Sequence, residues 1–473
     1  VFWAFGGKPL KYDVIIVGAG PAGIFSALEL AEKTDLRVLI IDKGPDIDKR
    51  KCPASRGIEC VHCEPCAVLS GWGGAGAFSD GKLTLSTEVG GWLNEYVLKD
   101  ELQKLIEYVD NIYLKFGAPN RVYGADPERV EEIERKASFA RLRLVHQKIR
   151  HMGTEKCAET LRKMRQYLNS RVDVRMRTEV KGLIVKNKNV EGVETVEGER
   201  ILGRYVIVAP GRSGAEWLKA EAQALGLKTL NNPVDVGVRV EVLASVMEEL
   251  TSTLYEPKFI YYSKFFDDQV RTFCVAPYGE VITESYNGIL SVNGQSYANR
   301  KTPNTNFAIL VSTRFTEPFK EPIAYGKYLA RLANLLSGGI IIQRLGDLEA
   351  GRRSTQERID RCVVTPTLKN ATPGDLSFAL PYRYLTDIME MLKALDKVAP
   401  GVYSKDTLLY GIEVKFYSSR LKLSRCLETK IRNLFTIGDG AGVTRGLVQA
   451  SASGVIAARE IIRREKQLSK TNT

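Results

Sequence analysis

The chain has 473 residues, 44% hydrophobic and 26% charged, with a formal net charge of +12. That length predicts two or three domains, each with enough apolar side chains for a core. Apolar runs stay shorter than the roughly twenty residues of a membrane span, which excludes a helical membrane protein. Val1-Phe-Trp-Ala-Phe5 is too brief for a signal-peptide core, and a cytoplasmic location is expected. Lysine and arginine are scattered rather than clustered. The basic surface therefore reads as solvated and suited to an anionic ligand, and nucleic acid is not an expected partner.

In chain order, the first element is an apolar strand, Val14 to Val17, running into Gly18-Ala-Gly20-Pro21-Ala22-Gly23. A helix to about Lys33 follows, then a second apolar strand, Val38 to Asp42, with Lys43 next. This is a dinucleotide-binding unit in which each glycine has a task. Gly18 permits the strand-to-helix turn, Gly20 admits a pyrophosphate, and Gly23 lets helix and strand pack closely. The helix N-terminus offers N–H donors and positive dipole to the phosphates. Asp42, about twenty residues on, can accept both ribose hydroxyls of an adenosine.

Next comes a cysteine-rich loop holding Cys52, Cys60, Cys63 and Cys66, half of the eight cysteines in the chain. The C-x2-C-x2-C spacing with one upstream cysteine suits a [4Fe–4S] cluster or a structural zinc. His62 is an alternative ligand. Redox thiols at Cys63 and Cys66, or plain thiols in a loop, stay open as readings. Directly after it, Leu69-Ser-Gly-Trp-Gly73-Gly74-Ala75-Gly76-Ala-Phe-Ser-Asp80-Gly81-Lys82-Leu83 carries enough glycine to lie flat against a planar group.

Helices are predicted from Trp92 to Phe116, Pro127 to Lys136 and Thr154 to Ser170, the second with Asp126 as N-cap. Strands follow at 172–176, 180–185 and 190–195, and then Tyr205-Val-Ile-Val-Ala209-Pro-Gly211. From about Pro233 the pattern becomes strand-rich: 235–242, 271–276, 281–284 and 308–312, with helices near 323–336 and 382–397. Near the far end, Asn433-Leu-Phe-Thr-Ile-Gly438-Asp439-Gly440 reads as a short buried strand and turn. A helix rich in small residues opens at Gly446-Leu447.

This last segment resembles the second FAD fingerprint of the glutathione-reductase-like flavoproteins. The resemblance implies that Asp439 bonds the ribityl chain and that the helix from Gly446 and Leu447 points at the flavin pyrimidine edge. Tyr205 to Gly214 is similar to the strand-and-glycine segment near the cofactor in the same superfamily. Gly73 to Leu83, with His151-Met-Gly-Thr154, Val236-Gly-Val-Arg239-Val-Glu241 and Leu409-Tyr-Gly-Ile-Glu413, resembles an uncharacterised family of FAD-dependent dehydrogenases. That family has its own FAD-dependent C-terminal domain. This chain departs from its pattern after Glu413, where it reads Val-Lys-Phe-Tyr-Ser-Ser, so no substrate carries over.

The expected fold is α/β: an FAD-binding Rossmann-like domain with a three-layer, parallel sheet built from discontinuous segments, plus an α+β cap domain. Residues 1–232 would form the first part of the FAD-binding domain, with the cysteine-rich loop 52–66 and a helical insert at 91–150. Residues 233–404 would form the sheet-containing substrate domain covering the flavin, and 405–473 the rest of the FAD-binding domain. Expected cofactor contacts are Gly18, Gly20, Pro21, Ala22, Gly23, Asp42, Lys43, Gly73, Gly74, Ala75, Val180, Ala209, Gly211, Gly438, Asp439, Gly446 and Leu447.

The expected activity is that of an FAD-dependent oxidoreductase moving hydride or electrons through flavin N5 to or from a small molecule. With a single dinucleotide unit in view, NAD(P)H would bind only transiently, or an electron-transfer partner protein would take its place. Alternatives are a flavin/iron–sulfur electron carrier and a flavin-dependent RNA-modifying protein. Candidate catalytic side chains are His151, at a helix start, and Arg239 and Glu413. The last two occupy strand-interior positions, where a charge needs a partner or a task.

Overall fold

The computed structural model describes the chain apart from residues 1–10, 54–60, 62, 231–232, 287, 298–299, 314, 317, 320, 416–419 and 472–473. It divides into two compact units. The first comprises residues 1–120, 151–230 and 418–473; the second comprises 121–150 and 231–417.

In the first unit, β1 (Lys11–Val17) leads to α1 (Pro21–Lys33), β2 (Val38–Asp42) and later the short β3 (Lys82–Leu85). Its main sheet has the order 173–176, β2, β1, 200–208, 189–195, 180–186, with Leu434–Thr436 beside 200–208. The strands around β1 are parallel, while 180–186, 189–195 and 200–208 form an antiparallel flank. β1 is buried on both faces. Val14 and Ile16 join one core with α1 and with the Lys99–Lys115, Thr154–Leu168 and Leu447–Thr471 helices. Ile15 and Val17 join another beneath the Ala215–Ala224 helix. Helix, sheet and helix thus form three layers, as a near-continuous apolar strand requires. Each such Val or Ile contributes about 1.5–3 kcal/mol on burial.

Small residues let α1 and the last helix touch at backbone distance. A Cβ on Gly454 would lie 2.1 Å from the Ala22 carbonyl oxygen, and the Ser26 hydroxyl donates to the Gly454 carbonyl at 3.1 Å. The same pair is locked by Glu29. Burial works to raise its pKa, but hydrogen bonds from Arg459, Lys33 and Tyr108 hold it below the usual value.

The second unit is built on an eight-stranded sheet ordered 372–373, 341–344, 408–415, 234–243, 304–313, 269–276, 259–262, 143–144. Val234, Val236, Val238, Val240 and Val242 face a core shared with the Pro322–Ser337 and Tyr382–Leu395 helices. Asp235, Arg239 and Glu241 alternate with them on the opposite face and are also fully buried. The Glu280–Tyr286 and Ile289–Gln295 strands pair as a separate hairpin.

Two boundaries differ from the sequence expectation. The Pro127–Phe139 helix packs in the second unit, because Val130, Ile133 and Ala137 complete its core. The Leu408–Lys415 strand also belongs there, paired with both 234–243 and 341–344. Among the described residues, no helix is long and apolar enough to cross a membrane.

Candidate functional site

The first unit gathers three glycine-rich stretches that lie far apart in sequence. At the first, Gly18 turns with φ +110°, and a Cβ there would sit 2.0 Å from the Ala209 carbonyl oxygen. A Cβ on Gly23 would meet the Gly18 carbonyl oxygen at the same 2.0 Å. Gly20 differs: its Cβ would have only the Gly74 Cα nearby, at 4.0 Å. Gly20 is the N-cap of α1 and caps it with no side chain, and Pro21 opens the helix. The first-turn amides are therefore left for an anion. Asp42 stands at the end of β2, accepting from the Ala19 and Gly44 amides at 2.8 and 2.7 Å. Each carboxylate oxygen keeps capacity for a further hydroxyl donor.

The second stretch lies against the first. Gly73 N–H donates to the Ala19 carbonyl at 2.8 Å, and a Cβ on Gly74 would come within 3.1 Å of the Gly20 Cα. Gly76 sits between the two helix starts, with a Cβ there 2.7 Å from Leu447 and 3.5 Å from Pro21. Trp72 is fully buried and donates to the Leu161 carbonyl at 2.9 Å. Its ring therefore anchors the turn to the Thr154–Leu168 helix.

At the third stretch, Leu434–Thr436 delivers Gly438 and Asp439. Asp439 accepts from the Thr444 hydroxyl at 2.8 Å and the Gly446 amide at 3.3 Å, bracing the loop before the last helix. Burial raises its pKa, against the Thr444 hydrogen bond and the Arg212 charge. Neither Gly211 nor Gly446 has a neighbour within 4 Å of a would-be Cβ, so the space before them is open.

Uncapped α1, an open Gly20 facing Gly74, an acid at the end of β2 and a second helix opening beyond Asp439 together fit FAD. Gly18, Gly20, Pro21, Ala22, Gly23 and Asp42 would hold the adenosine and phosphates. Gly73, Gly74, Ala75, Gly438, Asp439, Gly446 and Leu447 would hold the riboflavin half. Three other expected contacts are structural neighbours of this cradle. Lys43 pairs with Glu179 at 3.7 Å, Val180 is buried in a strand pairing, and Ala209 donates its N–H to Val17 at 2.7 Å.

Arg50 was not picked out by sequence reasoning. Its buried guanidinium donates to the carbonyls of Ala67, Val68, Trp72 and Gly74 at 2.7–2.9 Å. Burial lowers its pKa to about 10, against the pull of the Asp42 and Cys66 charges. No residue spacing signals this clamp, since four carbonyls converge only after folding. Gln449 was likewise overlooked; it ties the Ser86 and Val89 carbonyls to the last helix at 3.5 and 2.8 Å.

Cys52, Cys63 and Cys66 are part-exposed and outside any disulfide. Cys60 and His62 lie outside the described residues. Among the described residues, no group of three or more His, Cys, Asp or Glu is placed to hold a metal ion.

His151 stands beside Asp80, Lys82 and Glu155; burial lowers its pKa. Arg239 and Glu413 do come together, 3.3 Å apart and both with 0% exposure, in the second unit. Asn306 and the Cys274 carbonyl take the other guanidinium nitrogens, and Lys415 pairs with Glu413 at 2.9 Å. Both charges are thus buried and paired among the described residues.

The fold and cradle define a flavoprotein of the Rossmann-like class, and comparison with known proteins agrees. Residues 11–260 match the FAD binding domain family, and the chain belongs to it. Residues 233–416 match the FAD-dependent protein, C-terminal domain-like family, and residues 367–469 match glucose inhibited division protein A. An uncharacterised protein of Clostridium beijerinckii is 27% identical over 97% of this chain and 82% of its own length. The digeranylgeranylglycerophospholipid reductase of Methanosarcina mazei is 40% identical over 99 residues, 19% of this chain and 23% of that protein. The L-proline dehydrogenase of P. horikoshii aligns over 97% of this chain and 95% of its own, with 14% identity and a TM-score of 0.40. The chain is an FAD-binding protein.

Proposed function

We propose that the chain passes a hydride or electron pair between a small organic substrate and N5 of FAD, in the cytoplasm. The observation that carries this is the convergence of Gly20, Gly74 and the Asp439–Leu447 loop on one open cradle. FAD supplies the redox chemistry when bound. The protein's share is placement: α1 at the phosphates, Asp42 at the ribose, Asp439 at the ribityl chain. The start of the last helix stabilises negative charge on the pyrimidine edge. His151, whose charged form burial disfavours, is the group suited to exchange a proton with substrate. Arg239 and Glu413 keep the second unit's sheet in shape rather than meeting substrate. The Cys52–Cys66 loop carries the candidate thiolate metal site.

The test is an absorption spectrum with iron and zinc analysis on protein purified without oxygen and supplemented with FAD. Flavin bands that bleach on adding dithionite are expected. Protein that stays colourless, and whose Gly20→Ala and Asp439→Ala variants behave like the parent, would overturn the proposal. One zinc, or four irons with sulfide, per chain would assign the cysteines; flavin alone would leave them as thiols.

A further inference from the structure

The segment from Gly76 to Gly91 is strung across the start of the last helix. At one end Gly76 lies under Leu447. At the other, Gln449 holds the Ser86 and Val89 carbonyls, Arg445 N–H donates to the Gly90 carbonyl at 2.6 Å, and Gly91 bridges Thr444. Between these anchors lie β3 and the turn that precedes it. Asp80 in that turn and Lys82 at the start of β3 form an ion pair of 3.2 Å, with side chains only 17% and 10% exposed.

The turn is rigidly set. Gly81 has φ +68°, and a Cβ there would lie 2.9 Å from Met152. The Gly153 and Met152 amides donate to the Asp80 and Gly81 carbonyls at 2.9 and 3.1 Å. His151 and Cys157 are titratable groups close to the pair. Burial disfavours the charged form of His151 and pushes the Cys157 thiol up to about 12, and Glu155 is the remaining acid beside His151. An ion pair this poorly solvated acts through a lower effective dielectric than surface charges do.

We propose that Lys82, oriented by Asp80, is an electrostatic positioning residue that stabilises the negative charge FAD acquires on reduction. Two electrons accompanied by one proton leave one net negative charge on the ring system. A nearby ammonium therefore favours the reduced over the oxidised cofactor, and a nearby carboxylate opposes it. The inference rests on the FAD reading above and adds a residue to it.

The experiment equilibrates FAD-loaded full-length protein with a reference dye during stepwise reduction and reads the flavin absorbance. Fluorescence titration measures FAD affinity in parallel. Lys82→Met is expected to weaken binding of reduced relative to oxidised FAD about tenfold, a fall of about 30 mV for the two-electron couple. Lys82→Arg should restore the parental potential, and Asp80→Asn should raise it. Opposite signs are the signature, since a merely structural role would move both variants the same way. Unchanged potentials in variants that still bind FAD, or shifts of one sign, would overturn the proposal. If Lys82→Met does not fold, the sign of the Asp80→Asn shift decides alone. Failure of the parent protein to bind FAD would instead overturn the flavin reading.

Discussion

Asp387 shows how one side chain can impose a pH dependence on the second unit. It is fully buried on the Tyr382–Leu395 helix, beside Asp268, whose charge Arg383 holds in place. Burial first, then the neighbouring Asp268, raises the Asp387 carboxyl to about 7. An acid whose folded pKa lies above its unfolded value opposes folding once ionised. The penalty is absent below the unfolded value near 4, grows between about pH 4 and 7, and stays constant above that. Asp387→Asn should therefore raise the thermal midpoint by a few degrees at pH 8 and leave it unchanged at pH 4. Melting curves across pH 4–8 test this; an equal effect at both ends would show that Asp387 does not titrate there. None of this was legible beforehand, because Asp268 and Asp387 become neighbours only through tertiary packing. Gly18, Gly20 and Gly23, by contrast, could be read directly, since the backbone constraints they relieve are local.

At the scale of elements, the Arg50 clamp fixes the 67–74 turn that the proposed cofactor cradle uses. Hydrogen bonds to a charged donor contribute about 1.5–3 kcal/mol each, and Arg50 makes four to a single turn. Arg50→Lys keeps a charge yet cannot reach all four carbonyls, because an ammonium lacks the planar fork of a guanidinium. Faster amide exchange across residues 66–74 and at least tenfold weaker FAD binding are expected. Parental exchange rates in Arg50→Lys would remove the clamp from the account. The Pro127–Phe139 and Tyr382–Leu395 helices were legible from capping and periodicity to within a few residues. The Glu280–Tyr286 and Ile289–Gln295 hairpin was only half seen. Its second strand, Ile289-Leu-Ser-Val-Asn-Gly-Gln295, mixes apolar and small polar residues and announces itself weakly.

For the whole molecule, FAD should act as a structural ligand, because its cradle draws on residues near 20, 74 and 440 of one unit. Ligand at a hundredfold excess over its Kd stabilises by about 2.7 kcal/mol. The thermal midpoint is expected to climb steadily with added FAD. Gly20→Ala should flatten that climb while leaving the FAD-free midpoint in place, since its methyl group has room. A variant that melts early without FAD would mean Gly20 is needed for folding rather than for binding. The strand-rich stretch after Pro233 was legible from its alternating apolar residues. Assignment of 121–150 was not, because its core-facing residues are matched to a partner more than a hundred positions away.

The interrupted path of the first unit also has a consequence for how the protein is made. Strand Arg200–Val208 takes Leu434–Thr436 as its neighbour, yet the whole main part of the second unit is translated between them. At about 5–20 residues per second, the earlier strand waits on the order of 10–45 s on the ribosome with that edge uncovered. Over that interval the growing chain is exposed to mispairing, and a nascent-chain chaperone would have its longest opportunity to bind.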